Sequence, residues 1–235
     1  MIDFVCFKWK PVNRYRTTFL SHHVNILRSM IERNCTVPWR LTCVTDDPSG
    51  LDPRIRYIPL WADHSALTNP SSPDRGPSCY RRLKIFSADA REWLGERIVQ
   101  IDIDCVITSD ITPIVSRTED FVIWGDTNVN TPYNGSLVLF TAGCRTKLWE
   151  DFDPIKSPVL TKKLGYYGSD QAWIGACLGP GEAKFTKLDG VYSFRNEVKS
   201  GGLLPKNARI VIMHGQTDPW SHKARNFPWV KRHWV

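Results

Sequence analysis

The ten residues Ile98-Val99-Gln100-Ile101-Asp102-Ile103-Asp104-Cys105-Val106-Ile107 are the most apolar stretch of the chain, and two carboxylates stand in its middle. Richness in β-branched residues predicts a buried central strand over 98–107, and the period of two places Asp102 and Asp104 on one face of it. Burying one ionised carboxylate is expensive, and burying two like charges together is worse, so positive charge must compensate them. No Lys, Arg or His lies within four positions of either aspartate. The residue types therefore point to a divalent cation held by carboxylate oxygens, its other coordination positions left for phosphate oxygens. The alternative is that one aspartate caps the turn at Ser109-Asp110 while the other is solvated at a strand end.

The surrounding pattern predicts what this strand is set in. Ile2 to Phe7 reads as a first strand. Residues 17–32 carry Phe19, Leu20, Val24, Leu27, Met30 and Ile31 at spacings of three and four, which predicts an amphipathic helix. Strands are expected at 41–45 and 54–60, and the Pro- and Ser-rich residues 61–78 are expected to form a long loop that lines a site or closes over it. A helix over 79–93 leads into the Asp-x-Asp strand. Beyond it come strands at 121–125 and 136–140, helices at 144–152 and 170–178, and a late strand at 208–213. Alternating strands and helices predict an α/β fold, one Rossmann-like domain over 1–235 with a mostly parallel mixed sheet flanked by helices. In such sheets ligands bind beyond the carboxyl ends of the strands, where the aspartates lie.

The formal charge is +7, of which Lys223, Arg225, Lys231 and Arg232 contribute four within residues 219–235, a segment with no acidic residue there after Asp218. The same segment carries Trp220, Phe227, Trp229 and Trp234. A basic aromatic tail suits sugars, nucleic-acid phosphates or a lipid headgroup surface; alternatively its aromatics pack on the domain and its charges are solvated. Seven cysteines with no Cys-x-x-Cys pair give neither a zinc framework nor a closed disulfide set, which fits small buried hydrophobes in a reducing compartment. The first apolar run is too short for a signal sequence, so a cytoplasmic protein, or one peripheral at a membrane surface, is expected.

Four further motifs carry polar and charged side chains suited to a ligand. Tyr80-Arg81-Arg82-Leu83-Lys84 places guanidinium groups before the acidic strand. Asn134-Gly135-Ser136 combines a side-chain amide with a glycine that permits close backbone approach. Gly168-Ser169-Asp170-Gln171 has the form of a helix N-terminus, and His214-Gly215 ends the late strand with an imidazole. Arg-Leu-Lys, then Asp-x-Asp, then Asn-Gly, then Asp-Gln, then a late His: this order resembles the retaining glycosyltransferases of family 8, from the first strand to Trp220. It is densest from Ile98 to Asp104 and on through Asp110-Ile111-Thr112-Pro113-Ile114.

That resemblance implies the A-type glycosyltransferase fold and transfer of a sugar, with retention, from a UDP-sugar to a hydroxyl acceptor. It implies Mn²⁺ or Mg²⁺ on Asp102, Asp104 and His214, with Asp102 also near the donor ribose. Arg82 would contact donor phosphate or sugar, Asn134 and Asp170 the donor sugar hydroxyls, and Gln171 would lie near the anomeric carbon. Phe7 and Lys8 fall where the family's backbone holds the base. Two departures stand out. Asn134-Gly135-Ser136 replaces the family's Asn-Ala-Gly. The closing motif is shortened, with Asp218 where the family has a diphosphate-neutralising lysine; Lys223, with Arg225 or His222, is the expected substitute. The basic charge suits an anionic acceptor such as modified DNA or a lipid-linked saccharide. A nucleic-acid or membrane-surface binding module built on the tail, and a sugar nucleotidyltransferase, are the competing readings; the second would need a glycine-rich phosphate loop after the first strand, where this chain has Phe7-Lys8-Trp9-Lys10-Pro11.

Overall fold

Phe4 and Cys6 face one apolar layer while Val5 and Phe7 face another, so the first strand, β1 (Ile2–Lys8), is buried on both sides. Strands of that kind belong at the centre of a sheet covered by helices. The computed structural model describes residues 1–11, 18–70, 78–125, 130–215 and 217–235. After β1 come α1 (Ser21–Asn34), β2 (Trp39–Thr45), β3 (Arg56–Pro59), a 3₁₀ helix (Cys79–Phe86), α2 (Ala90–Leu94), β4 (Arg97–Ile101), β5 (Cys105–Ile107) and α3 (Thr112–Val115). The remainder includes β6 (Phe121–Gly125), β7 (Tyr133–Thr141), α4 (Lys147–Glu150), α5 (Lys156–Lys163), α6 (Asp170–Leu178), β8 (Ala183–Phe185), β9 (Val191–Ser193), β10 (Ile210–Ile212), α7 (His222–Arg225) and α8 (Pro228–His233).

Among the described residues the main sheet has seven strands in the order β3-β2-β1-β4-β7-β6-β8. β3, β2, β1 and β4 run parallel, and β7 is antiparallel to both β4 and β6. This is the expected α/β architecture, a mostly parallel mixed sheet with helices on its faces. One face packs on α1, the second sheet and the C-terminal segment; the other packs on the 3₁₀ helix, α2, α4 and α6.

The acidic strand is not continuous. β4 ends at Ile101, the chain bends at Ile103 and Asp104, and β5 joins a separate small sheet of order β5-β10-β9. The Asp102 N–H still donates to Ser136 O in the main sheet (2.9 Å), whereas Asp104 O already accepts from Met213 N beside β10 (2.9 Å). Asp-x-Asp is thus the crossing between two sheets, where an uninterrupted strand over 98–107 was expected. An unbroken apolar run does not record a change of ladder partner, because both halves are equally buried.

Other differences are local. The helix expected over 79–93 divides at Ser87, whose hydroxyl bonds Asp89 Oδ1 (2.5 Å), and its first part is 3₁₀. The helix expected over 144–152 shortens to α4, and the strands expected at 54–60 and 208–213 shorten to β3 and β10. β7 is longer than the strand expected at 136–140. Of the loop over 61–78, residues 71–77 lie outside the described residues, as does Thr17 at the start of the helix expected over 17–32.

The C-terminal segment folds back. Trp220 stacks on His23 of α1 with ring centroids 3.8 Å apart, and Trp229 and Trp234 are buried. Arg33 of α1 clamps the chain end, donating to Val235 O (2.7 Å) and His233 O (2.9 Å). The tail's aromatics are therefore committed to packing, while Lys223, Lys231 and Arg232 are exposed. No helix among the described residues is long and apolar enough to cross a membrane.

Candidate active site

The positive charge that Asp102 requires arrives from another element. Arg82, on the 3₁₀ helix, is 7% exposed and bridges two acids: its Nη1 lies 2.5 Å from Asp102 Oδ1, and its Nε and Nη2 lie 2.8 and 2.6 Å from Asp170 Oδ2. Gln100 Nε2 adds a bond to Asp102 Oδ1 (3.3 Å). Asp170 is the first residue of α6 and is 4% exposed. Burial pushes its carboxyl pKa up, Arg82 opposes that shift, and the Asp102 charge reinforces it. Arg82 is held strongly in its charged form because the pull of Asp170 and Asp102 outweighs its own desolvation. The compensation foreseen as a metal ion is in part a guanidinium, twenty residues away in sequence.

One small residue makes room for this triad, and another shapes the turn that leads to it. A Cβ on Gly135 would come within 3.0 Å of both Arg82 Nη2 and Asp170 Oδ2, so the glycine of Asn134-Gly135-Ser136 sits directly against the ion pair. Gly168 has φ +103° and a Cβ there would meet Gln171 Cγ at 2.7 Å, which fixes glycine in the turn before α6. Ser169 Oγ accepts from Cys79 N (3.1 Å), tying the start of α6 to the start of the 3₁₀ helix.

Asn134 is buried, with Oδ1 accepting from Ser136 N (2.9 Å). Gln171 Nε2 donates to Tyr167 O (3.1 Å). Phe7 packs edge-on to Trp9 and Trp61 (6.2 and 5.8 Å), and the buried Lys8 donates from Nζ to Asp47 O (2.6 Å). Asp104 is 7% exposed. The Met213 N bond to Asp104 O puts His214 next to the Asp-x-Asp crossing, but its Nε2 is 2.8 Å from Ser193 Oγ and its ring meets Trp124 edge-on. Lys223 is exposed on α7, and Arg225 lies over the Trp234 ring (5.7 Å).

Two carboxylates and an imidazole on adjoining backbone are a donor set that suits a divalent ion such as Mn²⁺ or Mg²⁺ by kind. Among the described residues, however, no three His, Cys, Asp or Glu side chains are gathered to hold a metal. The sequence pattern did not foretell that the Arg81 guanidinium lies over the Trp9 ring (5.3 Å) while Arg82 turns to the carboxylates. The paired arginines were the available signal, since neighbours on a tight helix must point in different directions.

Comparison with solved structures agrees with the geometry. The chain superposes with a TM-score of 0.62 on the galactosyltransferase LgtC, solved in complex with donor and acceptor sugar analogs, over 99% of this chain and 93% of LgtC at 14% identity. This is the A-type glycosyltransferase fold. The glycosyltransferase GlyE of Streptococcus pneumoniae TIGR4 gives a TM-score of 0.61 at 10% identity, over 100% of this chain and 62% of GlyE. WbbM, a bifunctional glycosyltransferase, gives 0.55 at 13% identity, over 98% of this chain and 50% of WbbM. The chain therefore spans less than two thirds of GlyE and half of WbbM. No protein-family model and no curated protein sequence matches it. At these identities the likeness establishes the glycosyltransferase fold and leaves the reaction to the site.

Proposed function

We propose that this chain is a glycosyltransferase that moves a sugar from a UDP-sugar to a hydroxyl acceptor with retention of configuration. The observation that carries the reading is the Arg82 bridge between Asp102 and Asp170, which sits where β4 leaves the main sheet. Ligands in open α/β sheets bind beyond such strand ends. Asp102, Asp104 and His214 are the residues that would hold a divalent cation, which when bound supplies positive charge for a departing diphosphate.

The chain's own residues do the rest. Arg82 holds Asp102 and Asp170 in place and adds fixed positive field at the point where charge develops on the leaving group. Asn134, Asp170 and Gln171 would contact the donor sugar, and Phe7 and Lys8 the base. Asp170 Oδ2 already receives two bonds from Arg82, so this oxygen is held as a positioning group. That favours attack by the acceptor hydroxyl on the face the diphosphate leaves, over a covalent sugar on Asp170 of the kind retaining glycosidases form. A nucleic-acid or membrane module built on the tail is disfavoured by the burial of Trp229 and Trp234.

The test is a panel of sugar nucleotides scored for release of free nucleoside diphosphate with Mn²⁺, since slow hydrolysis requires no acceptor. Release from one UDP-sugar, abolished by a chelator and by Asp102→Asn, is expected. No release from any sugar nucleotide, with or without metal, would contradict the proposal.

A further inference from the structure

Arg81 and Arg82 are consecutive, both nearly as buried as the core (6% and 7% exposed), and electrostatically opposite. Arg82 faces two carboxylates. Among the described residues Arg81 has no ion pair: its guanidinium lies over the Trp9 ring (5.3 Å), Nη2 has a long contact to Trp61 O (3.4 Å), and its buried Nε has no hydrogen-bond partner there. Asp46 and Cys79 act on it only at a distance, and burial pulls its pKa down from the usual arginine value. Its backbone is nonetheless pinned, because Arg81 O accepts from Trp61 Nε1 (2.7 Å). A cation fixed in place, desolvated and without a counter-charge among the described residues is unfavourable in the free protein and is completed by an anion.

Position identifies the kind of anion. Trp9 follows β1, Trp61 follows β3, and the next residue, Arg82, reaches Asp102 after β4, so the Arg81 guanidinium lies at the same carboxyl end of the parallel strands. A planar fork backed by an aromatic ring matches phosphate oxygens in two places at once. Among the other cations considered for this role, Lys223 stands exposed on α7. Resting on the nucleotide-sugar reading, we infer that Arg81 is the phosphate-binding cation of this site and neutralises the diphosphate of the donor from the Trp9 side.

The test is calorimetric titration of wild type, Arg81→Gln and Arg81→Lys with UDP, uridine and inorganic pyrophosphate, all in Mn²⁺ buffer. Arg81→Gln is expected to weaken UDP and pyrophosphate about tenfold or more and to leave uridine unchanged. Arg81→Lys, which keeps the charge and loses the fork, is expected to fall between the two and serves if Arg81→Gln does not fold. Pyrophosphate affinity within twofold of wild type in both variants overturns the inference, as does an equal loss for uridine, or a loss in Lys223→Ala in place of the Arg81 variants. Wild type that binds neither UDP nor pyrophosphate overturns it too. Arg81-dependent pyrophosphate binding without UDP binding would keep this inference and sink the UDP-sugar reading; UDP binding indifferent to Arg81 would do the reverse.

Discussion

Two regions of this molecule concentrate basic residues, and they use them in opposite ways. The C-terminal segment over 219–235 carries four of the seven net positive charges, yet its cations are exposed and its aromatics are packed against His23 of α1 and against Phe194. The 3₁₀ helix carries only Arg81, Arg82 and Lys84, but the two arginines are buried at the carboxyl edge of the sheet. Net charge located the first region; desolvation marks the second. A charge in water is screened and nearly free of consequence, whereas a buried one dictates what must stand beside it.

The contrast can be broken at several levels. Arg82→Ala leaves Asp102 and Asp170 without their shared partner, and should cost about 3–5 kcal/mol of folding stability in denaturant titration and abolish sugar-nucleotide turnover. An Arg82→Ala protein as stable as wild type would remove the distinction between the two regions.

The tail should respond to pH more than to salt, because a neutral histidine holds it. His23 stacks on Trp220, and its Nδ1 accepts from Leu20 N (3.1 Å) at the start of α1. Burial, followed by the neighbouring His22, lowers its pKa from 6.5 to about 4. The unfolded chain takes up a proton at this site before the folded one does. Stability is therefore complete above pH 6.5 and falls as pH drops from 6.5 towards 4, by up to about 3 kcal/mol. Urea unfolding across that range should show the slope, and His23→Gln should flatten it; the same slope in both proteins would contradict the assignment.

Gly135→Ala presses a methyl group against the Arg82–Asp170 pair. The expected cost is about 1–3 kcal/mol, together with lower donor affinity, read by thermal unfolding and UDP titration. The smallest effect belongs to the exposed tail cations: Lys231→Ala should shift stability by no more than about 0.5 kcal/mol. A larger change there would show that the tail's charge, and not its packing, holds it.

What could be read from the sequence follows from where its information is local. The apolar run of β1, the spacing of Val24, Leu27 and Ile31 in α1, and the Ser-Asp start of α6 are each contained in a dozen residues; β1 and α6 stand where their patterns say, while α1 begins at Ser21, four residues after the expected start, and leaves Phe19 and Leu20 outside it. The residue types at the site were legible for the same reason: Asp102, Gly135 and Asp170 do come to one place. Their partners were not, because nothing around Asp102 names Arg82 as its counter-ion, and nothing in Arg81-Arg82 says which guanidinium meets carboxylates. The break between β4 and β5 was invisible because Ile101 and Cys105 are equally buried on either side of it. Three-residue strands such as β8 and β9 were missed because so short a run has no periodicity to detect.

The central claim is that the carboxylates at the crossing of the two sheets serve a metal-bound nucleotide diphosphate. Titrating UDP into wild type and into Asp102→Asn, with and without Mn²⁺, tests it most directly. The account predicts binding that requires Mn²⁺ in wild type and is lost in an Asp102→Asn protein that is still folded. UDP affinity that is indifferent both to Mn²⁺ and to Asp102→Asn would contradict it.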